Sequence, residues 1–460
     1  MYNLFGHIVL SMGSGKMKYL LKNRYDDEKL CNNPDKGWYV HYYDNGISRY
    51  GTDLSPEDTL DDFPLMDHAY LRLAWSYLEP EEGKYDWNII DKIIDPWVAA
   101  GKRVSFRITC KETKSKETEK QCYATPKWVF DAGAEGSLIK ECMEPEYGDP
   151  IFLQKLENFH RAFAERYDGR DEVIYVDIGS YGDWGEGHCC VSSGKDWPID
   201  VIKKHIDIYL RCYKHTQLVI SDDVIGSRIS SEGCDDLLNY IIDNGITFRD
   251  DSVCVDYFSK RYGYDTLRSH PLFDRAWRKF PTILENAHYS HVKEFGTDPG
   301  GWPFLASVEG SHATYGGFHG YPREWLNDHP EMAVMTANRL GYWYFLYAVD
   351  MPESSGSEFP VTCYFENKGA APSYKNYKLD FILRGDGAEF VCEAKDFCSS
   401  EMMPHTVTVR EHKLKFDAPA GKYGLYLRMH NDADRTVELG MKDEYRAPDG
   451  SYFINDIIIK

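Results

Sequence analysis

The fold is decided by the stretch IYVDIGSYGDWGEGH, which runs from Ile174 to His188. It begins as an apolar run typical of a buried strand, and it then changes abruptly to glycines, aromatics and acids. In a β/α barrel the strands bury their sides, and the chemistry collects at their C-terminal ends. The stretch therefore predicts a barrel strand that leads into active-site residues. A glycine-rich loop with solvated acids is the alternative that the same residues allow.

Helical and strand patterns alternate on both sides of this stretch. Apolar residues recur at helical spacing in segments such as Asn88–Ala100 and Phe152–Tyr167. The predicted strands are Trp38–Tyr42, His68–Ser76, Arg103–Cys110, the strand that Ile174 opens, Gln217–Asp223, Ser252–Phe258, Pro281–His288 and Gly341–Val349. Strands that alternate with helices in this way predict an α/β fold, a (β/α)8 TIM barrel over residues 33–352.

The pattern changes at Met351–Glu358, a linker rich in proline, serine and glycine. Short alternating runs follow it, and turn residues separate them. These runs are Val361–Glu366, Lys378–Leu383, Glu389–Ala394, Lys413–Phe416, Tyr423–Met429, Val437–Met441 and Phe453–Ile459. They predict a C-terminal antiparallel β-sandwich over residues 353–460. Residues 1–32 are expected to form an N-terminal extension. Two domains suit a chain of 460 residues.

The composition excludes several kinds of partner. A net charge of -21 argues against nucleic acid and against an anionic membrane. The 12 cysteines show no metal-ligand spacing, so we expect reduced thiols in a cytoplasmic protein. The 34 tyrosines and 11 tryptophans allow stacking on sugar rings as well as core packing. The sequence leaves the oligomeric state open, with a homo-oligomer as one alternative.

Two glutamates at predicted strand ends suit the cleavage of a glycosidic bond. One carboxyl group must protonate the leaving oxygen, and the other must be ionised to attack or stabilise the sugar carbon. Glu186, among aromatics after the fourth strand, suits the acid, and Glu285, after the seventh, suits the nucleophile. Arg72 or Arg107 is expected to keep Glu285 ionised. No metal and no organic cofactor is expected.

The expected substrate-binding residues share a position at predicted strand ends or in the runs beside them. They are Trp38, His41, Arg72, Arg107, Asp183, Trp184, His188, Asp222, Tyr257, His288, Tyr289, Glu309, His312 and Trp343. Arg72 and Arg107 have structural ion pairs as an alternative, and Asp222 has a helix cap. The run Val308–Gly320 is expected to fold over the barrel mouth, where Glu309 is an alternative nucleophile to Glu285.

Several of these segments carry a resemblance to a known group of enzymes. Gly37–His41, Arg72–Trp75 and Leu78–Trp87 resemble the retaining glycoside hydrolases of clan A, in particular their β-galactosidase-like members. Gly182–His188 and Leu284–Tyr289 are similar to the strand-four and strand-seven segments of uncharacterised bacterial proteins of that kind, which end in a β-sandwich. The resemblance implies an acid/base at Glu186 and a nucleophile at Glu285.

The implied activity is retaining, exo-acting cleavage of β-linked oligosaccharides or glycosides of galactose or glucose type. One residue departs from the pattern: Gly185 stands where the family has an asparagine that binds the sugar 2-hydroxyl. Asp183 and His188 are candidates for that contact. The departure leaves open a carbohydrate-binding protein without catalysis. A metal-dependent hydrolase built on His41, His188, His288 and nearby acids is a third alternative.

Overall fold

The protein divides into two compact units. A computed structural model describes residues 8–12, 16–42, 63–113, 122–226, 234–255, 272–319 and 323–460. One unit is Trp38–Ala333, and the other combines Met1–Gly37 with Val334–Lys460. Among the described helices, none has both the length and the apolar character that crossing a membrane requires.

Strands and helices follow one another along the described part of the chain. The strands are β1 Ile8–Met12, β2 Lys16–Leu20, β3 Gly37–Tyr42, β4 Met66–Ala74, β5 Arg103–Thr109, β6 Gly136–Ile139, β7 Cys142–Pro145, β8 Val173–Asp177, β9 Gln217–Ser221, β10 Thr247–Val253, β11 Ile283–Asn286, β12 Tyr315–Phe318, β13 Tyr344–Pro352, β14 Ser354–Ser355, β15 Glu358–Asn367, β16 Lys378–Gly385, β17 Ala388–Glu393, β18 Val407–Lys415, β19 Gly421–His430 and β20 Tyr452–Ile459. The helices are Trp75–Leu78, Asn88–Ala99, Lys127–Asp131, Pro150–Tyr167, Ile199–Cys212, Asp223–Gly226, Cys234–Asp243, Tyr289–Phe295, Trp302–Gly310, Arg323–Asp328 and Pro330–Arg339, and residues 272–276 are also helical.

Eight strands close into a barrel in the order β3-β4-β5-β8-β9-β10-β11-β12. Neighbouring strands in it, such as β4 with β5 and β10 with β11, are parallel. β4 is buried along nearly its whole length, because helices cover the outer face of a parallel barrel and side chains fill the inner one. The (β/α)8 barrel that the sequence predicted is confirmed.

The inside of the barrel is filled by side chains rather than open. Six strands contribute one residue each to a single buried cluster: Tyr39, Tyr70, Tyr175, Val219, Ile283 and Tyr315. Gly317 leaves space for one of these rings, because a Cβ there would lie 2.5 Å from the ring of Tyr39. A ligand therefore has access only to the ends of the strands, and the C-terminal ends form what we call the mouth.

Gly341–Val349 was predicted to be the eighth strand of the barrel, and this prediction is wrong. The eighth barrel strand is β12, whose sequence Tyr-Gly-Gly-Phe contains no apolar run that would reveal it. The far more apolar segment is β13, which pairs antiparallel with β2 and β15 in a different sheet. The predicted barrel boundary at residue 352 therefore extends past the barrel, since Val334–Lys460 belongs to the second unit.

The second unit consists of two five-stranded sheets, β1-β2-β13-β15-β18 and β14-β20-β19-β16-β17. Both sheets supply side chains to one hydrophobic core, for example Leu346 and Val361 from the first and Leu379 and Leu425 from the second. We call it the two-sheet unit. It differs from the prediction in two places: β2 lies in the segment expected to be an extension, and Val437–Met441 contains no strand.

Candidate active site

A tight turn after the fourth barrel strand positions Glu186. The chain leaves β8, passes Gly182 with a φ of 86°, and forms a 3-10 turn over Asp183–Gly185 that Glu186 terminates. Gly185 has a φ of 76°, and a Cβ there would lie 2.5 Å from the carbonyl oxygen of Gly179. An asparagine at this position would therefore clash with the carbonyl oxygen of Gly179.

Cationic side chains surround Glu186, which is 7% exposed. Its Oε1 lies 3.6 Å from Arg72 Nη1 and 3.5 Å from Arg107 Nη2. The expectation that these arginines would face Glu285 is wrong. They lie side by side on β4 and β5, and β5 pairs with β8, whose following turn carries Glu186. The surroundings of Glu186 are therefore more polar than the neighbouring aromatics suggested.

His188 lies on the other side of the Glu186 carboxyl group. Its Nε2 is 3.6 Å from Glu186 Oε2 and 3.8 Å from Asp223 Oδ2, and its Nδ1 is 3.9 Å from Asp183 Oδ2. Burial lowers the pKa of His188, but the hydrogen bond to Glu186 and the three negative charges outweigh burial and raise this pKa to about 9. The three carboxylates therefore favour the protonated form of the imidazole.

Glu285 lies on β11, fully buried. His319 Nδ1 is 2.6 Å from Glu285 Oε1, and Oε2 lies 3.2 Å from Arg249 Nη1 and 3.6 Å from His41 Nδ1. Each partner is on a different strand or strand end, because His41 is on β3, Arg249 is on β10 and His319 follows β12. The carboxylate is thus held from several sides, which fixes its direction.

A further carboxylate holds Arg249 in place. Arg249 Nε lies 2.8 Å from Asp177 Oδ2, and Tyr70 donates its hydroxyl proton to the same oxygen at 2.5 Å. All three side chains are buried. The guanidinium carbons of Arg249 and Arg107 lie 5.7 and 5.4 Å from the centre of the Tyr70 ring. The cationic partners of Glu285 and Glu186 therefore meet at one tyrosine.

The buried imidazole of His41 lies within electrostatic range of cationic side chains that contact Glu186 and of others that contact Glu285. Burial lowers the pKa of His41 well below its ordinary value, and the positive charges of four neighbours lower it further. These neighbours are His319, Arg107, Arg72 and Arg249. Since this set includes cationic partners of both glutamates, both groups lie within electrostatic range of the same imidazole.

One set of side chains in the described residues has the arrangement of metal ligands. His41, Glu285 and His319 each offer one ligand atom, and these atoms lie within 4.8 Å of one another. This set differs from the expected His41, His188 and His288. Two histidines and one carboxylate suit a transition metal. However, the Arg249 guanidinium lies 3.2 Å from the same carboxylate and opposes a cation there.

Asp183 and Trp184 lie in the turn that carries Glu186 and make contacts within the local structure. Asp183 Oδ2 accepts hydrogen bonds from the backbone N–H groups of Val191 and Ser192 and so holds the following turn. Trp184 Nε1 donates to Thr113 Oγ1 at 3.2 Å, and its ring centre is 6.2 Å from that of His188. Asp222 is fully buried at the end of β9.

The structure contradicts the sugar-binding role expected for two tryptophans. Trp38 is fully buried on the helix-covered side of β3, and its Nε1 donates to the carbonyl oxygen of Ala333. It packs against Phe63, Phe304, Phe318 and Trp325. Trp343 belongs to the two-sheet unit and packs in a small cluster with Cys31 and Phe345. The sequence does not show whether a tryptophan side chain is buried in a core or exposed at a strand end, so both were expected in the site.

Glu309 and His312 lie at the opposite end of the barrel from the mouth, so their expected site roles are wrong. Glu309 is in the last turn of the helix Trp302–Gly310, which returns to the start of β12. The His312 carbonyl oxygen accepts a hydrogen bond from Thr282 Oγ1, and Thr282 directly precedes β11. The run expected to cover the mouth is in fact this return segment followed by the eighth strand.

The remaining expected residues follow the seventh strand or lie outside the description. The ring centre of His288, an exposed residue, is 3.8 Å from that of His319. Tyr289 donates its hydroxyl proton to Asp328 Oδ2 at 2.8 Å. Tyr257 lies outside the described residues.

Sequence reasoning missed Arg249, His319, Asp177 and Tyr70. The sixth strand was predicted to begin at Ser252, whereas β10 begins at Thr247, which places Arg249 inside a strand. His319 was read as part of a loop over the mouth. Arg249 could have been found if the sixth strand had been predicted to begin five residues earlier, at Thr247, because Arg249 would then lie on a barrel strand.

A parallel (β/α)8 barrel with a carboxylate after its fourth strand and another on its seventh defines the structural class of this protein. Residues 56–196 match the β-galactosidases of glycoside hydrolase family 42. This segment includes β4, β5, β8 and Glu186, and it ends before Glu285. This part of the chain is similar to clan A glycoside hydrolases, as its motifs indicated.

The chain is also similar to particular proteins, in one case over a short segment and in others at low identity. The β-galactosidase BbgII of Bifidobacterium bifidum is 30% identical over 133 residues, which cover 27% of this chain and 19% of that protein. The chain therefore spans about a fifth of that relative's length. Endo-glycoceramidase II of a Rhodococcus species is 11% identical with a TM-score of 0.39, over 82% of this chain and 98% of the other. A β-galactosidase of Halorubrum lacusprofundi is 11% identical with a TM-score of 0.40, over 66% and 57%.

Proposed function

We propose that the protein is a retaining glycoside hydrolase that cleaves β-linked oligosaccharides or glycosides, with Glu186 as acid/base and Glu285 as nucleophile. One observation carries the proposal: Arg107, which contacts Glu186, and Arg249, which contacts Glu285, lie 5.4 and 5.7 Å from the centre of the same ring, that of Tyr70. Two carboxylates that share one mouth are what double displacement at a sugar carbon requires. The match of residues 56–196 to family 42 β-galactosidases supports the same substrate class.

Glu285 is suited to attack the sugar. Arg249 at 3.2 Å and His319 at 2.6 Å stabilise its negative charge and hold its oxygens in place. In the first step Glu285 forms a bond to the anomeric carbon while the bond to the leaving oxygen breaks. In the second step water attacks the same carbon, and the bond to Glu285 breaks.

Glu186 transfers the protons in both steps. It gives a proton to the leaving oxygen and later accepts one from the attacking water. Arg72 and Arg107 favour its negative form, which suits the second step. In the first step the proton has to be present against these charges. Arg107→Met is therefore expected to extend activity toward higher pH for substrates whose leaving group needs protonation.

The test compares wild type with Glu186→Gln and Glu285→Gln on a panel of aryl β-glycosides. Both variants are expected to lose most of their turnover, and Glu186→Gln should lose least on the best leaving groups, which need no proton. Glu309→Gln is the matched control because Glu309 lies at the far end of the barrel. Undiminished turnover in both site variants would end the assignment. An α-configured first product, seen by NMR, would show inversion and exclude the retaining mechanism.

A carbohydrate-binding protein without catalysis is the second candidate, and the backbone at Gly185 favours it. The turn excludes the asparagine that contacts the sugar 2-hydroxyl in the family, so one catalytic contact must come from elsewhere. Sugar binding measured by calorimetry without hydrolysis across the panel would support this candidate.

A metal-dependent hydrolase that uses His41, Glu285 and His319 as ligands would lose its activity when a chelator is added. An enzyme that works by the proposed two-glutamate mechanism would keep its activity in the chelator.

A further inference from the structure

Glu112 is a buried carboxylate at the end of the third barrel strand, and the proposed mechanism does not use it. It lies three residues after Thr109, the last residue of β5, and is 3% exposed. Thr109 Oγ1 donates to Glu112 Oε1 at 2.7 Å, and the same oxygen lies 3.7 Å from Arg72 Nε. A buried carboxylate needs hydrogen-bond donors and a cation, because its desolvation is costly. Arg72 supplies this cation.

Two hydrogen bonds connect the segment around Glu112 to the turn that carries Glu186. The backbone N–H of Trp184 donates to the carbonyl oxygen of Lys111 at 2.9 Å, and Trp184 Nε1 donates to Thr113 Oγ1 at 3.2 Å. The residues on both sides of Glu112 therefore bind the residue that lies two positions before Glu186. The two carboxylates are held on segments that contact each other directly.

One guanidinium group contacts both of these acids. Arg72 has its Nε 3.7 Å from Glu112 Oε1 and its Nη1 3.6 Å from Glu186 Oε1. A nearby positive charge favours the ionised form of a carboxyl group, and a nearby negative charge opposes it. The negative charge of Glu112 therefore offsets part of the effect that Arg72 has on Glu186.

We propose that Glu112 is a positioning residue that takes up part of the charge of Arg72 and so lets Glu186 keep its proton for the leaving oxygen. The inference rests on the proposed function, and it explains how the acid of the first step stays protonated beside Arg72 and Arg107. Both distances from Arg72 exceed the roughly 2.8 Å of a charge-assisted hydrogen bond. Arg72 therefore acts on the two acids mainly through its charge.

Other charged and titratable groups face these two acids from several elements, and they stay in place when Glu112 is varied. They are Arg107, His188, Asp183 and Asp223 on the side of Glu186, and Lys111 and Cys142 on the side of Glu112. Burial raises the pKa of the Cys142 thiol to about 11, so this group stays neutral. The pKa of His188 is raised to about 9, so His188 can add its own step to an alkaline pH profile.

The kinetic test compares the pH profile of kcat/KM between wild type and Glu112→Gln, which keeps the shape of the side chain and removes its charge. For aryl β-glycosides with poor leaving groups, the alkaline limb should move to lower pH by about one unit, so that kcat/KM falls about 10-fold above the limb. This shift is opposite in sign to the one expected for Arg107→Met. For the best leaving groups, which need no proton, kcat/KM should stay unchanged.

Two further variants make the kinetic test specific. Glu112→Asp places the charge one methylene further from Arg72, so it should move the limb in the same direction by less, and it serves as the test if Glu112→Gln does not fold. The shift from Glu112→Gln should persist in the background of His188→Gln, which removes the titration of the imidazole. An unmoved limb, or an equal loss of kcat/KM for all leaving groups, would overturn the inference.

Glu79→Gln is the matched control. Glu79 is also a buried glutamate, at 2% exposed, and its carboxylate accepts hydrogen bonds from Trp75 Nε1 and from the backbone N–H of Gly83. These contacts do not involve an arginine of the site. Glu79→Gln should therefore leave the alkaline limb where it lies in wild type, and a shift equal to that of Glu112→Gln would count against a specific role for Glu112.

A direct titration separates this inference from the proposed function. Glutamate carboxyl groups are labelled with ¹³C in the full chain, the signal missing from Glu186→Gln identifies Glu186, and its pKa is measured by NMR. This pKa should be lower in Glu112→Gln than in wild type. A lower pKa supports the inference even if the glutamate variants of the hydrolysis test keep their turnover. An unchanged pKa refutes it even if hydrolysis is established.

Discussion

The strongest quantitative prediction concerns Arg249, which connects two buried carboxylates. Its Nε lies 2.8 Å from Asp177 Oδ2 and its Nη1 lies 3.2 Å from Glu285 Oε2, and all three side chains are fully buried. Arg249→Met removes the cation and leaves both acids in place. Removal of one partner from a buried ion pair typically destabilises a protein by about 3–5 kcal/mol, because the remaining charge stays buried. We expect a loss of this size in the barrel's free energy of unfolding.

Urea unfolding measures this loss, with a signal from the barrel unit since the two units need not unfold together. Arg166→Met is the matched control, because Arg166 pairs with Asp91 at the surface and is 42% exposed at its side chain. A surface pair contributes at most about 1 kcal/mol. Equal, small effects of Arg249→Met and Arg166→Met would refute the reasoning.

A double-mutant cycle tests the cause of the Arg249 effect. In the background of Asp177→Asn one of the two buried charges is already neutral, so Arg249→Met then leaves a single carboxylate without its arginine, that of Glu285. The loss from Arg249→Met should therefore be smaller in that background, by about 1–3 kcal/mol. Strictly additive losses would show that the ion pair is not responsible.

Hydrolysis should fall with Arg249→Met, since Glu285 loses the cation that stabilises its charge.

Three further predictions concern single residues. The pKa of His188 is raised from 6.5 to about 9, so its protonation stabilises the fold by on the order of 3 kcal/mol below pH 6.5. This stabilisation is lost as the pH rises through 9. The difference in the free energy of unfolding between wild type and His188→Gln should therefore shrink from pH 6.5 to pH 9. Burial lowers the pKa of Lys36 in the two-sheet unit from 10.5 to about 7, so the unfolded chain binds the extra proton between these values and stability should rise with pH there in wild type but not in Lys36→Met. Gly185→Asn should reduce both thermal stability and turnover rather than restore a family contact, because its Cβ would meet the Gly179 carbonyl oxygen, and a variant of wild-type Tm would contradict this.

The sequence predicted the barrel because most of its strands are apolar runs. β4, β5 and β9 are nearly or wholly buried and read as such. β12 did not, since its four residues include two glycines, and a glycine there is required by the ring of Tyr39. The apolar character of β13 came instead from its place between two other strands of the two-sheet unit. Hydrophobic runs thus reveal burial but not which core the strand enters.

The two proposed catalytic residues were found from sequence, while their partners were only partly found. Glutamates beside glycines and aromatics at strand ends are conspicuous. A buried arginine on a strand such as β10 is not, because the sequence around Arg249 contains two aspartates and looks like a solvated turn. The prediction of which arginine contacts which acid was also wrong, because Arg72 and Arg107 were assigned to Glu285 and in fact contact Glu186. Which arginine meets which acid depends on the neighbour order of strands, which emerges only in the closed barrel.

That order gives each glutamate its own set of supporting strands. β4 and β5 provide Arg72 and Arg107 to Glu186. The partners of Glu285 come from β3, from β10 and from the end of β12. Because the two sets share no charged side chain among the residues that the structure describes, the surroundings of one glutamate can be altered while these contacts of the other stay in place. Arg107→Met should therefore affect proton transfer at Glu186, and Arg249→Met the attack by Glu285, so the two proposed roles can be tested separately in one protein.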